Sequence, residues 1–405
     1  MLFRARLGTF LTFALGGLLC GVWVARMPAL TDKFGIGPGA AGMVLLVWGV
    51  AALAAMQGLR GVIARVGSRA VLRIAAPLAA ATAALVALAP SYPLLLAAIA
   101  VFGMAFGVMD VAMNAQASVV ERAHRRPLMS GMHAGWCVGA MTGGLIGALT
   151  AFAGLSFTQT LLGAALAALP AALALGRTYL ADAPAAAAGP QAGERGRLPL
   201  AVYLIGALAF IAFMAEGAVA DWSGLMLHDE LHAAEWVAAL GYPLFESAML
   251  AGRLVGDRLR TRLGTRRLLV TAGAGTAAGA TVVVCAPAVP MALAGFFLTG
   301  LMVCTIVPTM ISLAGTTAPG RSSAAVAQVG AMGYGGLLLG PVIIGFLAEA
   351  TSLRVGLGMI VVLALLIAVG ARLLPIAADA DLAAEYALAE ARAQAEHKPA
   401  LSSAA

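Results

Sequence analysis

Apolar residues run along this chain in stretches of about 20, the length that crosses a hydrocarbon core of roughly 30 Å. The breaks between them are short turns rich in Arg, Pro or Gly. Such stretches occupy 7–25, 39–58, 71–89, 94–119, 128–152, 157–179, 200–227, 237–256, 268–286, 291–315, 322–349 and 355–374. The pattern predicts an all-α integral membrane protein of twelve transmembrane helices. Proline-bearing turns such as Ala89-Pro90-Ser91-Tyr92-Pro93 and Ala286-Pro287-Ala288-Val289-Pro290 end one helix and start the next.

Composition agrees with the pattern. Of 405 residues, 62% are hydrophobic and 11% charged, against roughly a quarter charged in soluble proteins. Little chain remains for a soluble domain. The net charge of +7 does not mark a nucleic-acid partner, because the arginines sit in short turns between apolar stretches. With a cytoplasmic N-terminus, only Arg26, Lys33 and Arg354 among the basic residues fall outside; the rest fall inside. That bias predicts a multi-pass protein of the cell inner membrane with both termini cytoplasmic. The first stretch is too long for a cleaved signal, and Leu19 stands where a lipoprotein site before Cys20 needs a small residue. Cys20, Cys137, Cys285 and Cys304 all lie in apolar segments without paired spacing, so neither a disulfide framework nor a metal site is expected.

The chain reads as two halves. Arg65-Val66-Gly67-Ser68-Arg69 matches Arg262-Leu263-Gly264-Thr265-Arg266, and Gly143 and Gly147 match Gly336 and Gly340. Internal duplication in a membrane protein points to a transporter built from two related bundles. The expected division is an N-terminal six-helix bundle at 1–180, a linker at 181–199, a C-terminal bundle at 200–378 and a cytoplasmic tail at 379–405.

Polar residues inside apolar spans are expensive and mark function. Gly103, Gly107, Asp110 and Asn114 share one helix face. Glycines at 131, 135, 139, 143 and 147 form a seam for close helix approach. A carboxyl group in low dielectric that water can reach is a reversible proton site, which nominates Asp110 and, near mid-membrane, Glu216. His133 and Trp136 share a face and suit either a polar ligand or packing. Glu246 is either a solute contact or an ion-pair partner of Arg253. Asp221 and Trp222 read as an interfacial anchor, and Arg26 beside Pro28 is expected to snorkel to the surface.

The run Gly252-Arg253-Leu254-Val255-Gly256-Asp257-Arg258, followed by Arg262-Leu263-Gly264-Thr265-Arg266-Arg267, resembles the cytoplasmic signature turn of the major facilitator superfamily. The resemblance implies two pseudo-symmetric six-helix bundles and a gating role for Asp257 with Arg253 or Arg258. The first-half turn has Arg60 or Ala64 where the acid would stand. Asp110-Val111-Ala112-Met113-Asn114 is similar to the Glu-x-x-x-Asn of the proton-coupled fucose permease branch. That likeness implies Asp110 as the coupling acid with Asn114 beside it.

The expected function is secondary active transport of a small solute by alternating access, as proton-coupled symport of a sugar-like polar solute. Proton-driven efflux of drugs or metabolites is the alternative. Asn114, His133, Trp136 and Glu246 are the candidate solute contacts. The expected partners are the solute, protons and the lipid bilayer, with no cofactor, metal or nucleic acid, for a monomer. An enzyme is not expected, because Ser130 and His133 lack a third orienting group.

Overall fold

The computed structural model describes residues 2–124, 128–181, 197–318 and 321–374. Most of the expected linker and the whole expected tail lie outside them. The described residues are helical and turn, without strands. The long helices are α1 (Leu2–Ala25), α2 (Pro38–Gly58), α3 (Ser68–Leu88), α4 (Tyr92–His124), α5 (Met129–Phe152), α6 (Phe157–Leu175), α7 (Leu200–Leu225), α8 (Gly241–Leu263), α9 (Thr265–Val284), α10 (Val289–Val303, resuming as Ile306–Thr317), α11 (Ser322–Ala350) and α12 (Leu353–Leu373). Among the described residues, eleven spans are long and apolar enough to cross a membrane. The remaining long helix, α8, is charged: Glu246 and Arg253 lie along it, and it runs past the apolar stretch through Arg258, Arg260 and Arg262.

Local sequence explains where the helices start and break. Ser156 caps α6 in a reciprocal box with Gln159, satisfying two otherwise orphaned N–H groups. Gly67 and Gly264, in the matching turns of the two halves, hold φ of 85° and 76°, a region in which residues with a Cβ are strained. In α10, Pro308 has no N–H to offer the Cys304 carbonyl one turn back, and the helix is interrupted there.

The halves also share their helix-end chemistry. On one face, Arg73 donates to the Gly176 carbonyl at 2.8 Å and Arg266 to the Leu374 carbonyl at 3.0 Å. On the other, Lys33 donates to the Ala87 carbonyl and Arg354 to those of Val284 and Ala286. Each cation meets the negative end of a neighbouring helix.

Packing repeats six helices on. In the first half α1 lies against α5, α4 and α6, α4 against α2 and α3, and α3 against α6. In the second, α7 lies against α11, α10 and α12, α10 against α8 and α9, and α9 against α12. The bundles meet mainly through α2 with α11 and α5 with α8. The glycine seam of α5 explains its closeness to α1: a Cβ at Gly135, Gly139 or Gly143 would run into the carbonyl of Phe10, Ala14 or Leu18. Gly336 and Gly340 of α11 meet Phe210 and Met214 of α7 in the same way. The other glycine stripe, Gly103 and Gly107 of α4, lies on the backbone of Trp48 and Ala52 in α2.

Close backbone approach leaves no room for a side chain, which gives a direct test. Gly139→Leu should destabilise the purified protein by about 1–3 kcal/mol through overpacking, read as a lowered thermal unfolding midpoint. Gly163→Leu, at a position with nothing within 4 Å, should leave the midpoint within a degree or two of wild type, within the small effects typical of uncrowded sites.

Candidate functional site between the bundles

The two bundles close against each other on the face that carries Arg26, Lys33 and Arg354. Arg26, between α1 and the short helix Met27–Phe34, is 1% exposed. It pairs with Glu235 of the second half at 3.1 Å and donates to the Leu155 carbonyl at 2.6 Å. Burial pulls its guanidinium below the usual arginine range, and the Glu235 carboxylate opposes that shift. The backbone N–H of Gly39 donates to Glu349 at 3.0 Å. Phe152 and Trp236 meet edge to face at 5.7 Å, and Gly144 lies against Pro243. Arg26 does not snorkel as expected: it is buried, with Glu235 and the Leu155 carbonyl as its partners. Trp222, expected at an interface, is also fully buried, against Gly345 of α11.

Toward the face that carries the N-terminus the same interfaces splay. Helices α2 and α11 touch at Gly42 with Gly345 and at Gly49 with Leu338. Continued antiparallel packing would bring Gly58 close to Gly330, yet a Cβ on either meets nothing within 4 Å. In the α5–α8 pair, Gly144 touches Pro243 while Gly131 faces open space. A central space therefore opens on the N-terminal face, and His133 and Tyr334 are exposed along it.

The Cys20 thiol of α1 lies within the electrostatic reach of Asp110 on α4, Asp221 on α7 and Glu246 on α8. Cys20, Asp110 and Asp221 are half-buried, whereas Glu246 is 8% exposed. Asn114 donates to the Asp110 backbone carbonyl at 2.9 Å and reaches its carboxylate at 3.4 Å. Arg253 interacts electrostatically with Glu216 and Glu246. Arg253 donates across the bundle interface to Cys137 Sγ at 3.2 Å. Glu216 Oε1, Glu246 Oε2 and Arg253 Nε are buried without a hydrogen-bond partner.

Aromatic rings wall both sides. On the first half Trp48, Phe102 and Trp136 surround Phe106 at 5.5, 5.7 and 5.9 Å, and His133 meets Phe13 at 5.2 Å. On the second half Phe213 and Tyr334 stack at 6.0 Å, with Tyr334 within the electrostatic reach of Asp110.

Most of the residues nominated from sequence thus gather at the centre: Asp110, Asn114, Glu216 and Glu246 with Arg253, and His133 and Trp136 on the wall. Arg253 sits inside the bundle interface, while Arg258 is exposed. The side chain of Asp257, and those of Arg60 and Ala64 in the matching turn, lie outside the described residues, as does the side chain of Ser130. The sequence did not point to Cys20, Trp48 or Phe213 as site residues, nor to Glu235 as the partner of Arg26.

The arrangement is an acid-bearing interface between two bundles, closed on one face, and it accords with known proteins. The sequence pattern of the Major Facilitator Superfamily matches residues 7–259 and 205–396. An uncharacterized transporter of Sinorhizobium fredii is 35% identical over 361 residues, 88% of this chain and 94% of the relative. An uncharacterized MFS-type transporter of Yersinia pestis is 33% identical over 375 residues, 91% and 95% of the two chains. The membrane protein MosC of Rhizobium meliloti is 32% identical over 368 residues, 88% and 86%. Among solved structures, a mutant of the nucleoside transporter NupG superposes with a TM-score of 0.74 at 13% identity, over 92% of this chain and 100% of that one. A bacterial homolog of the human lysosomal transporter Spinster, inward-facing and unoccupied, gives 0.71 at 14% identity, over 91% and 96%. By fold, family match and relatives above 30% identity along most of their length, the chain belongs to the Major Facilitator Superfamily of membrane transporters.

Proposed function

We propose that the protein carries a small polar solute together with protons, by alternating access, through the space between its bundles. The observation that carries this reading is that Asp110, Asp221 and Glu246, acids set in the long helices of both halves, all lie within electrostatic reach of one thiol, Cys20. Ionised carboxylates in the interior of a bilayer are costly, and taking up and releasing protons is the simplest way to lower that cost during a transport cycle. Asp110 and Glu216 are assigned the proton sites; Asn114, His133, Trp136 and Glu246 are assigned the solute contacts. The Asp110–Asn114 pair supports kinship with the fucose permease branch and hence a sugar-like solute, whose apolar ring faces suit the Trp136 and Tyr334 walls.

The N-terminal face is assigned to the cytoplasm, which makes the described conformation inward-open. Residues 1–180 and 200–378 are the two bodies that rock, and the chain works as a monomer. The Arg26–Glu235 pair and the Gly39–Glu349 bond act as the outer closure. A solute or proton shifts the balance between the two states only by binding them unequally, so the outer contacts set how strongly the inward-open state is preferred.

Two tests follow. In proteoliposomes, Asp110→Asn should abolish solute accumulation driven by a pH gradient while leaving solute exchange intact; undiminished accumulation would remove Asp110 from the coupling role. Arg26→Gln leaves Glu235, a third exposed, without its partner, and should weaken the closed outer face by about 1–3 kcal/mol. Labels at Phe152 and Trp236 should then report a population with a longer separation. The exchanged pair Arg26→Glu with Glu235→Arg should restore part of the short-distance population, and unchanged distances in the single variant would refute the outer closure.

A further inference from the structure

We propose that a cavity on the closed face binds a small oxyanion, carboxylate or phosphate, between Lys33, Arg26 and the N-terminus of α6, and that this anion competes with Glu235 for Arg26. The site stands on its own geometry; the competition rests on the outer closure described above.

A cavity of about 300 Å³ lies where the short helix Met27–Phe34 meets the start of α6 and Glu235 of the second half. Lys33 and Ser156 on its lining are exposed, so solvent enters it. Its lining gathers donors that the protein leaves open. Ser156 caps α6 by accepting from the Gln159 N–H. Phe157 and Thr158, the first two residues of this 19-residue helix, have no helical acceptor one turn back for their N–H groups, and the helix dipole adds partial positive charge there. Lys33 donates to the Ala87 carbonyl at 2.9 Å and to Thr158 Oγ1 at 3.0 Å, which leaves one ammonium proton. Among the described residues Lys33 forms no ion pair, and burial beside the Phe34 and Phe157 rings lowers its ammonium below the usual lysine range.

Arg26 is a second feature, independent of the helix end. It lines the same cavity, is 1% exposed, and has no hydrogen-bond partner for Nε. Glu235 Oε1 lies 3.1 Å from Nη1, close enough to attract, yet both atoms lack a hydrogen bond. The pair is held by charge without the aligned, bidentate geometry that makes an arginine–carboxylate pair strong. An oxyanion free to turn in the cavity can meet Lys33, the helix end and the guanidinium together, which Glu235, tethered to the other half, does not. Two carboxylates also line the cavity. Glu235 is matched by Arg26, and Asp32 is 65% exposed with His228 at 3.9 Å. Lys33 and the helix end remain as the unmatched positive charge.

For the full chain in detergent without added lipid, inorganic phosphate and acetate should each give a saturable rise in the thermal unfolding midpoint, at fixed pH and with ionic strength held by chloride, because a ligand of the native state stabilises it by mass action. Lys33→Met should raise the half-saturating concentration by on the order of ten-fold or more, the scale of one charge-assisted hydrogen bond. Glu235→Gln, which removes the competitor, should lower it. The readout is the dependence on anion, so a shifted basal midpoint in either variant does not obscure it. A rise that never saturates, or one identical in wild type and Lys33→Met, is the behaviour of a salt acting on the whole surface and overturns the site. Nanodiscs of phosphatidylglycerol separate two sources of the anion. A midpoint that still responds to phosphate there assigns the cavity to soluble anions, and a response present in detergent but lost in nanodiscs assigns it to a lipid headgroup phosphate. Labels at Phe152 and Trp236 separate the site from the closure. Saturating phosphate should lengthen their separation. Lys33-dependent binding with unchanged distances, or with an unchanged half-saturating concentration in Glu235→Gln, refutes the competition and leaves the site. A longer distance in Arg26→Gln, in a protein that phosphate does not affect, refutes the site and leaves the closure.

Discussion

A carboxylate in the middle of a membrane must be wet, paired or protonated, and the placing of the other polar groups in this protein follows from that constraint. Asp110, Asp221, Glu216 and Glu246 are neither dispersed over the helices nor matched one to one with cations. They sit where two bundles face each other, on the wall of a space that opens on one side only. Arg253 balances part of the charge from within the α5–α8 interface. An excess of negative charge at the meeting surface of two movable bodies makes their relative position sensitive to whatever neutralises it. Coupling needs that link between charge and packing.

The glycine seams supply the rigidity against which such a change can act. Where α1 meets α5, and α7 meets α11, backbones touch without intervening side chains, so each pair is tightly packed. The bundles also meet through glycine, at Gly42 with Gly345, but most of their other contacts are of another kind. Arg26 with Glu235, Gly39 with Glu349 and Phe152 with Trp236 are single polar or aromatic contacts near one face. Dense packing within each half and sparse, partly polar contacts between halves place the low-cost motion at the central interface.

The fold was legible in the sequence because its determinants are local. Hydropathy located the spans, and the paired turns at Gly67 and Gly264 disclosed the repeat. Charge extended α8 to Leu263, beyond the apolar stretch that ends near 256, because helix formation does not stop where lipid does. The acids were legible too, since any acid inside an apolar span stands out. What could not be read was long-range pairing. Arg26 looked like a surface anchor because its partner lies in the other half, at Glu235, and nothing in either local sequence announces the other. Cys20 was indistinguishable from a small packing residue until acids of three other helices were found within its electrostatic reach. Trp222 carries the amphipathic signature of an interface, and tertiary packing against Gly345 overrode it.

The two halves agree in scaffold and differ in chemistry, and the difference locates function better than the agreement does. Gly67 and Gly264 turn alike, Arg73 and Arg266 cap alike, and Lys33 and Arg354 cap alike on the other face. Aligning the halves on those turns sets Asp110 of α4 opposite Val307 of α10, next to the proline that interrupts that helix. One half keeps a continuous helix bearing an acid; the other has a break and no acid. The second half instead carries Glu216, Asp221, Glu246 and Arg253 on α7 and α8. A scaffold that repeats needs only its packing residues duplicated, whereas a site that binds one asymmetric solute must use each half differently. The positions where the repeat is broken, Asp110 in the first half and the charged cluster of α7 and α8 in the second, are therefore those that the duplicated packing does not account for.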